Sequence, residues 1–228
     1  AVTLAGGRRV EGTHLLVALG RKASLSGLGL EAAGVTEGPN GVAVDAGLRT
    51  SNRRIYAVGD AAGGPQFTHV AGWHAGLVIR SALFRLPVKA RGTIPRVTYT
   101  EPEVAQVGMT EAEAVARHGA RRVEVLRMPY ADGDRARAEG ATEGLVKVIA
   151  VGGRPVGAGI AGAQAGELIG LWTLAIGARM KLSAIAGMVA PYPTLGELSK
   201  RAAGAHFAPA LFESEWTKRV VRALARLG

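Results

Sequence analysis

The chain has 228 residues, 48% of them hydrophobic, so it can bury a substantial core in one large domain or two modest ones. It contains no cysteine, which excludes a disulfide framework, a thiolate metal site and a cysteine nucleophile within these residues. The formal net charge of +10 comes from basic residues dispersed along the chain without interleaved aromatic residues, so we expect no nucleic-acid partner.

The histidines and the hydropathy pattern bear on two further kinds of site. The nearest pair of histidines, His69 and His74, does not share a helical face, so no metal site is predicted. No uninterrupted apolar run reaches about 18 residues, and the amino terminus has no signal-peptide pattern. We therefore expect a cytoplasmic protein with no membrane partner.

Residues 1–20 have the pattern of a strand pair followed by a third strand. Apolar residues flank the pair Gly6-Gly7 and predict a hairpin. Residues 15–19 form a continuous apolar run, which predicts a buried strand.

The stretch ending at Asp60 is the most informative part of the chain. A β-branched and aromatic run over residues 55–58 stops at Gly59, and the acid follows at once. This pattern predicts a buried parallel strand that ends at a cofactor, because glycine lets the backbone turn closely. A carboxylate there accepts hydrogen bonds from a polyol, and a helix predicted over 69–84 directs its positive amino end toward it. A helix N-cap is the alternative role of Asp60.

From residue 96 onward the pattern changes to an α+β layout. A capping box from Thr110 to Glu113 predicts a helix that ends at Gly119, and the polar residues 132–140 predict a mobile loop. The predicted strands cover residues 97–99, 104–107, 122–128, 145–151 and 155–160.

The last two of these strands flank Gly152-Gly153, which predicts a tight hairpin. Residues 168–180 then form a helix that is apolar on nearly all sides, so it is either central in a core or shared between subunits. We expect a charged residue in place of Trp172 to disrupt a dimer.

Three motifs together resemble one family. They are Ala18-x-Gly20-Arg21, Thr50 with the later Tyr56-Ala57-x-Gly59-Asp60, and Pro193-Thr194-x-x-Glu197. In this order they resemble the second half of the flavoprotein pyridine nucleotide–disulfide oxidoreductases, which include dihydrolipoamide dehydrogenase and mercuric reductase. The resemblance implies an α/β remnant of FAD- and NAD(P)-binding domains, followed by an α+β dimerisation domain with an antiparallel sheet and helices on one face. The implied segments are 1–20 (end of the NAD(P)-binding domain), 21–93 (carboxy-terminal part of the FAD-binding domain), 94–212 (dimerisation domain) and 213–228 (terminal helix).

The resemblance also implies where a flavin binds. In the family the acid matching Asp60, after Gly59, hydrogen-bonds the ribityl chain of FAD. The segment Phe67-Thr68-His69 brings backbone amides near the pyrimidine edge of the flavin. For the His69 side chain we favour an ordinary packed or capping role, because the implied contact is through backbone. FAD and NAD(P)H are the implied cofactors of the intact protein.

Tyr192 and Glu197 are the implied catalytic positions. Disulfide reductases of the family carry His-Pro-Thr-x-x-Glu, in which the His exchanges protons with thiols of the partner subunit and the Glu orients it. Tyr192 replaces that His, and a phenol with a pKa of about 10 is a poor base at neutral pH. The alternative is a packed interface tyrosine whose hydroxyl bonds a neighbour, with Glu197 as an early helix residue. Mercuric reductases also carry Tyr around this position, but they present tail cysteines that this chain lacks.

The chain begins without Met, and we expect no G-x-G-x-x-G in it and so neither dinucleotide-phosphate loop of the family. We therefore expect a carboxy-terminal fragment whose partners are the missing amino-terminal half and a second copy in a homodimer. The intact protein is expected to use NAD(P)H and FAD to reduce a disulfide or other acceptor. The fragment alone is expected to be inactive and to retain no cofactor. The alternative is a non-catalytic homodimerisation module without cofactor.

Overall fold

The computed structural model describes residues 1–225 and divides the chain into two compact units, Ala1–Arg91 and a second unit that begins at Gly92. Each unit has a hydrophobic core of its own. Residues 226–228, the end of the helix predicted over 213–228, lie outside the described residues. Within the described part, no helix is long and apolar enough to cross a membrane.

The first unit opens with the predicted hairpin, formed by β1 (Val2–Thr3) and β2 (Arg9–Val10). The buried strand predicted over residues 15–19 is wrong, because this segment is irregular and Leu16 and Leu19 are 88% and 94% exposed. A strand needs a neighbour for its backbone N–H and C=O groups. Among the described residues no strand pairs with this segment.

Two more strands and one α-helix also belong to the first unit. Strands β3 (Glu37–Gly38) and β4 (Gly41–Val42) form a second short hairpin beside a small apolar core. Helix α1 (Thr68–Ala82) confirms the helix predicted over residues 69–84, with ends shifted by one and two residues.

Residues 55–58 do not form the predicted buried parallel strand. Tyr56 makes an isolated antiparallel bridge to Arg49, and Val58 is exposed. The N–H of Ala57 donates to the carbonyl of Leu48 at 3.1 Å. The segment therefore pairs locally with the residues just before it, and not with a parallel neighbour.

The second unit is built on a five-stranded antiparallel sheet in the order β5-β6-β9-β8-β7. Its strands are β5 (Arg96–Thr98), β6 (Glu103–Gly108), β7 (Val123–Pro129), β8 (Leu145–Val151) and β9 (Arg154–Gly162). All five strands predicted from residue 96 onward are confirmed, with ends displaced by at most two residues. The tight connection at Gly152-Gly153 between β8 and β9 is also confirmed.

In the described part of the second unit, six α-helices accompany this sheet. They are α2 (Glu111–His118), α3 (Asp134–Ala138), α4 (Ala165–Gly177), α5 (Leu182–Ala186), α6 (Gly196–Gly204) and α7 (Glu215–Leu224). Helices α4 and α6 pack on the sheet face that carries the buried side chains of Val148 and Ile160. The predicted capping box opens α2, which lies over the other face, where Glu111 pairs with Lys147 at 2.6 Å.

Trp172 of α4 belongs to the core of the second unit. It is 0% exposed, and its Nε1 donates to Oγ of Ser199 in α6 at 3.1 Å. A side chain that is fully enclosed by its own chain makes no direct subunit contact, so Trp172 has a core role. That a charged residue in its place disrupts a dimer stays a prediction. The exposed large apolar residue of α4 is Leu174.

The mobile loop predicted over residues 132–140 is also wrong, since it contains helix α3. Ala136 in this helix is fully buried, and a Cβ at Gly133 would lie 2.8 Å from Cδ2 of Leu198. The polar residues of the segment face outward. Ala136 and the backbone at Gly133 pack against the core and hold the segment in place.

The expectation that the chain has no G-x-G-x-x-G is wrong as well. This spacing occurs from Gly157 to Gly162, but it lies inside β9 and not at a strand-to-helix turn. A Cβ at Gly157 would collide with the carbonyl of Met109, and one at Gly162 would lie 2.6 Å from the ring of Tyr130. These glycines therefore allow close packing in a sheet, and they form no phosphate loop.

Candidate functional site

The turn that carries Asp60 is fixed by helix α1. Gly59 has a φ of +58°, and a Cβ there would lie 2.7 Å from Cβ of Ala71, so glycine is required. The backbone N–H of Gly59 donates a hydrogen bond to Nδ1 of His74, 3.1 Å away. Ala71 and His74 are three residues apart on one side of α1, so that side of the helix sets the position of the turn.

His74 was not predicted as part of this site. Burial lowers the pKa of its imidazole below the ordinary value of 6.5, which favours the neutral ring. A neutral ring protonated on Nε2 leaves Nδ1 as the acceptor that the N–H of Gly59 needs. The signal in the sequence is its spacing with Val70 and Leu77, the other buried residues of α1.

Asp60 lies inside a 3₁₀ turn, Gly59–Ala62, whose N-cap is Val58, so Asp60 is not the N-cap of this turn. Its carboxylate is 42% exposed, and Oδ2 lies 3.7 Å from Nη1 of Arg21. The structure therefore brings together two motifs that are well separated in sequence. An exposed pair of this kind adds little stability, and the carboxylate remains accessible to hydrogen-bond donors.

The segment Phe67-Thr68-His69 forms the beginning of α1. Thr68 is the first helical residue, Phe67 provides no side-chain cap, and the first turn holds no acidic residue. The rings of Phe67 and His69 stack with centroids 5.0 Å apart and an angle of 12° between their planes. The positive end of the helix dipole is therefore suited to an anionic group.

A cavity of about 580 Å³ opens beside these elements. It is lined by Arg21, Lys22, Pro39, Asn40, Gly64, Gln66 and Phe67. Its cations and amides suit an anionic ligand with hydrogen-bonding groups, and Arg21 connects it to Asp60. These residues fit the ribityl and pyrimidine end of a flavin, which has hydroxyl groups and an edge that becomes negative on reduction.

In the second unit, Tyr192 precedes α6 and is paired with a residue that was not predicted. Its hydroxyl donates to Oδ2 of Asp134 in α3 at 2.8 Å. This hydrogen bond, together with the charge of Asp134 and a smaller effect of Glu197, raises the pKa of Tyr192. The phenol is therefore an even poorer base at neutral pH than an isolated tyrosine. Asp134 was missed because its short helix was predicted as a loop.

Glu197 lies in the first turn of α6, where an acid interacts favourably with the helix dipole. Its backbone N–H donates to the carbonyl of Thr194 at 3.3 Å. Within residues 1–225 the hydroxyl of Tyr192 bonds Asp134, and no hydrogen bond joins it to Glu197. The charge of Glu197 is the smallest of the effects that raise the pKa of Tyr192.

Comparison with protein families decides the identity of the chain. Residues 1–75 match the family described as pyridine nucleotide-disulphide oxidoreductase, and residues 94–203 match the dimerisation domain of the same family. The chain belongs to the pyridine nucleotide-disulphide oxidoreductases. Family membership confirms the resemblance and the implied fold class, including the FAD/NAD-binding and dimerisation parts.

Similar members of this oxidoreductase family have more than one function. A mercuric reductase of Streptomyces lividans is 40% identical over 205 residues, covering 87% of this chain and 42% of that protein. A dihydrolipoyl dehydrogenase of Chlorobaculum parvum is 36% identical over 199 residues, covering 86% of this chain and 42% of that protein. The chain thus spans about two-fifths of the length of these curated relatives.

Solved structures of the oxidoreductase family have the same fold. LpdA from Mycobacterium tuberculosis superposes with a TM-score of 0.82 at 29% identity, covering 90% of this chain and 45% of that chain. The HOCl-induced flavoprotein disulfide reductase RclA from Escherichia coli gives 0.75 at 26% identity, covering 82% and 44%.

Proposed function

We propose that this chain forms the flavin-contacting and dimerising part of a longer oxidoreductase, which uses NAD(P)H and FAD to reduce a disulfide or another acceptor. The observation that carries the proposal is the turn at Gly59 and Asp60, which His74 holds against α1. Family membership supports the two cofactors, and the relatives named mercuric reductase and dihydrolipoyl dehydrogenase support redox chemistry.

In this proposal Asp60 accepts hydrogen bonds from the ribityl hydroxyls, and the backbone of Phe67, Thr68 and His69 meets the pyrimidine edge of the flavin. The amino end of α1 stabilises negative charge at that edge. Arg21 pairs with Asp60 and orients its carboxylate. Bound FAD supplies the hydride-transfer chemistry that the side chains themselves do not have.

Tyr192 is proposed to act as a protonated hydrogen-bonding group and not as a general base. Asp134 accepts the phenolic proton in a hydrogen bond and raises the pKa of Tyr192, while Glu197 adds negative charge nearby. Proton exchange with thiols, the role of the histidine in disulfide reductases, is therefore not assigned to this position.

We assign residues 1–20 and 21–93 to the NAD(P)- and FAD-binding domains, and residues 94–212 to a domain that forms a cytoplasmic homodimer. The 228-residue chain alone is expected to be inactive and to retain no flavin. The second candidate function is a homodimerisation module without cofactor, which the match of residues 94–203 to a dimerisation domain favours.

The proposal is tested by recording visible absorbance spectra and sedimentation of the chain and of a protein of its relatives' length. We expect the longer protein to purify as a yellow dimer that oxidises NAD(P)H, and the 228-residue chain to be a colourless dimer. A colourless longer protein that still dimerises would contradict the oxidoreductase proposal and favour the dimerisation module.

A further inference from the structure

Helix α7 has an apolar face that is largely exposed within residues 1–225, with Val220 partly covered. None of the residues from Glu215 to Leu224 is buried. Trp216 is 73% exposed and Leu224 is 62% exposed. These two residues and Val220 are spaced by four along the helix, so they lie on one side of it. We call this surface, Trp216 with Val220 and Leu224, the apolar face of α7.

The turn before α7 extends this face. Leu211 and Phe212 are exposed as well, at 55% and 73%. The hydroxyl of Thr217 donates to the carbonyl of Ala210 at 2.8 Å, which ties the turn to the helix. A helix of ten residues is only marginally stable in water by itself. Because packing of the apolar face is what stabilises such a helix, we expect this face to contact a binding partner.

The opposite side of α7 is positively charged. It carries Lys218, Arg219 and Arg222, and the acid of the helix, Glu215, pairs with Lys218 at 2.7 Å. Among the described residues no acidic side chain forms an ion pair with Arg219 or Arg222. The helix therefore combines an aromatic and aliphatic face with a cationic one.

We propose that α7 binds the surface of an anionic lipid bilayer and lies in the plane of the interface. In that position Trp216 and Leu224 enter the boundary between headgroups and acyl chains, and Arg219 and Arg222 contact anionic headgroups. The cationic side favours lipid over an apolar groove of a second copy, which would cover the apolar face without needing positive charge beside it.

This inference does not depend on the proposed function, because no residue of the flavin site takes part. It revises the expectation of no membrane partner, which rested on the absence of a long apolar run. A helix that lies on a bilayer needs no such run, because only one of its sides enters the lipid.

The test is co-sedimentation of a protein of the relatives' length, in which the rest of the protein can cover α7, with vesicles of phosphatidylcholine alone or mixed equally with phosphatidylglycerol. We expect binding to the anionic vesicles only, weakened by added salt. Reversing two charges in R219E/R222E should lower the affinity about tenfold or more. The control R53E/R54E makes the same change of net charge at an exposed pair in the first unit and should bind like the parent protein.

Trp216→Phe separates insertion from adsorption, since it should keep binding but lose the blue shift of tryptophan fluorescence on anionic vesicles. Failure of the parent protein to bind anionic vesicles would overturn the proposal, as would equal weakening in R219E/R222E and R53E/R54E. A lipid-independent dimer that Trp216→Ala with Leu224→Ala dissociates would assign the face to a second copy and also overturn it. Because α7 has no buried residue, these variants should keep the circular dichroism of the core.

Discussion

The backbone N–H of Gly59 and Nδ1 of His74 form a hydrogen bond of 3.1 Å between the turn that carries Asp60 and helix α1. Gly59 is buried, so its N–H depends on this acceptor. The geometry of the proposed flavin site is thus set by a residue on the buried side of a helix.

Replacing His74 should loosen this turn. His74→Leu leaves the N–H of Gly59 without its acceptor, at a cost of about 1–3 kcal/mol in the free energy of unfolding. His74→Asn offers an amide oxygen and should lose less. Hydrogen exchange at the Gly59 amide, followed by NMR, measures the effect; equal exchange in the parent and in His74→Leu would show that the bond does not hold the turn.

The same residue predicts a pH dependence. The pKa of His74 in the folded protein is below 6.5, so its contribution to stability is complete above that value and is lost as the pH falls through the folded pKa. Below pH 6.5 the imidazole of His74 binds a proton more readily in the unfolded chain than in the folded protein, which favours unfolding. Protonation also removes the acceptor lone pair of Nδ1. We expect His74→Asn to reduce the loss of thermal stability between buffers about one pH unit above and below that value. An unchanged pH dependence in His74→Asn would contradict this.

Gly59 should tolerate no side chain. Gly59→Ala combines a positive φ with contact to Cβ of Ala71, and should lower the free energy of unfolding by about 1–3 kcal/mol. Gly72→Ala is the control, because it lies inside α1 with nothing within 4 Å of the added Cβ and should be neutral or stabilising. Denaturant titrations compare the unfolding midpoints of the two variants with that of the parent chain. The same midpoint shift in Gly59→Ala and Gly72→Ala would show that Gly59 is not strained by a side chain.

The bond between Tyr192 and Asp134 can be tested spectroscopically. Asp134→Asn removes the charged acceptor, so the pKa of Tyr192 should fall toward its ordinary value of 10.0. Tyrosinate absorbance is recorded against pH, and subtraction of the Tyr192→Phe titration isolates this residue from Tyr130, whose pKa burial raises to about 12. The same Tyr192 pKa with and without Asp134 would rule out their coupling.

Trp172 and Leu174, two residues apart on α4, should respond in different assays. Trp172→Ala empties a fully buried position and should cost about 3–5 kcal/mol of stability. Leu174→Glu alters a side chain that is 64% exposed, so it should leave the unfolding midpoint nearly unchanged and weaken any dimer that uses this side of α4. Chemical denaturation and sedimentation equilibrium separate the two effects, and a large loss of stability in Leu174→Glu would contradict this assignment.

The second unit could be predicted closely because its structure is determined locally. Strands β8 and β9 are neighbours in sequence and in space, and Gly152-Gly153 joins them directly. The capping box of Thr110 and Glu113 likewise acts within one helical turn. Such signals need no knowledge of distant partners.

The first unit could be predicted less well, because an apolar run indicates that a segment is buried but does not indicate which other segment packs on it. Residues 15–19 and 55–58 have the composition of parallel strands, which need neighbours far away in sequence. His74 and Asp134 were missed for another reason. One is a polar residue on a buried helix side, and the other lies in a helix too short to show periodicity.

The most direct test of the flavin assignment is the FAD affinity of Asp60→Ala in a protein of the relatives' length, with Glu31→Ala as the matched control that removes an exposed carboxylate from the same unit. The parent protein and Glu31→Ala should bind FAD equally. Asp60→Ala should bind about tenfold or more weakly, because it loses charge-assisted hydrogen bonds to the ribityl chain. Equal FAD affinity in all three proteins would contradict the assignment of Asp60 as a flavin ligand.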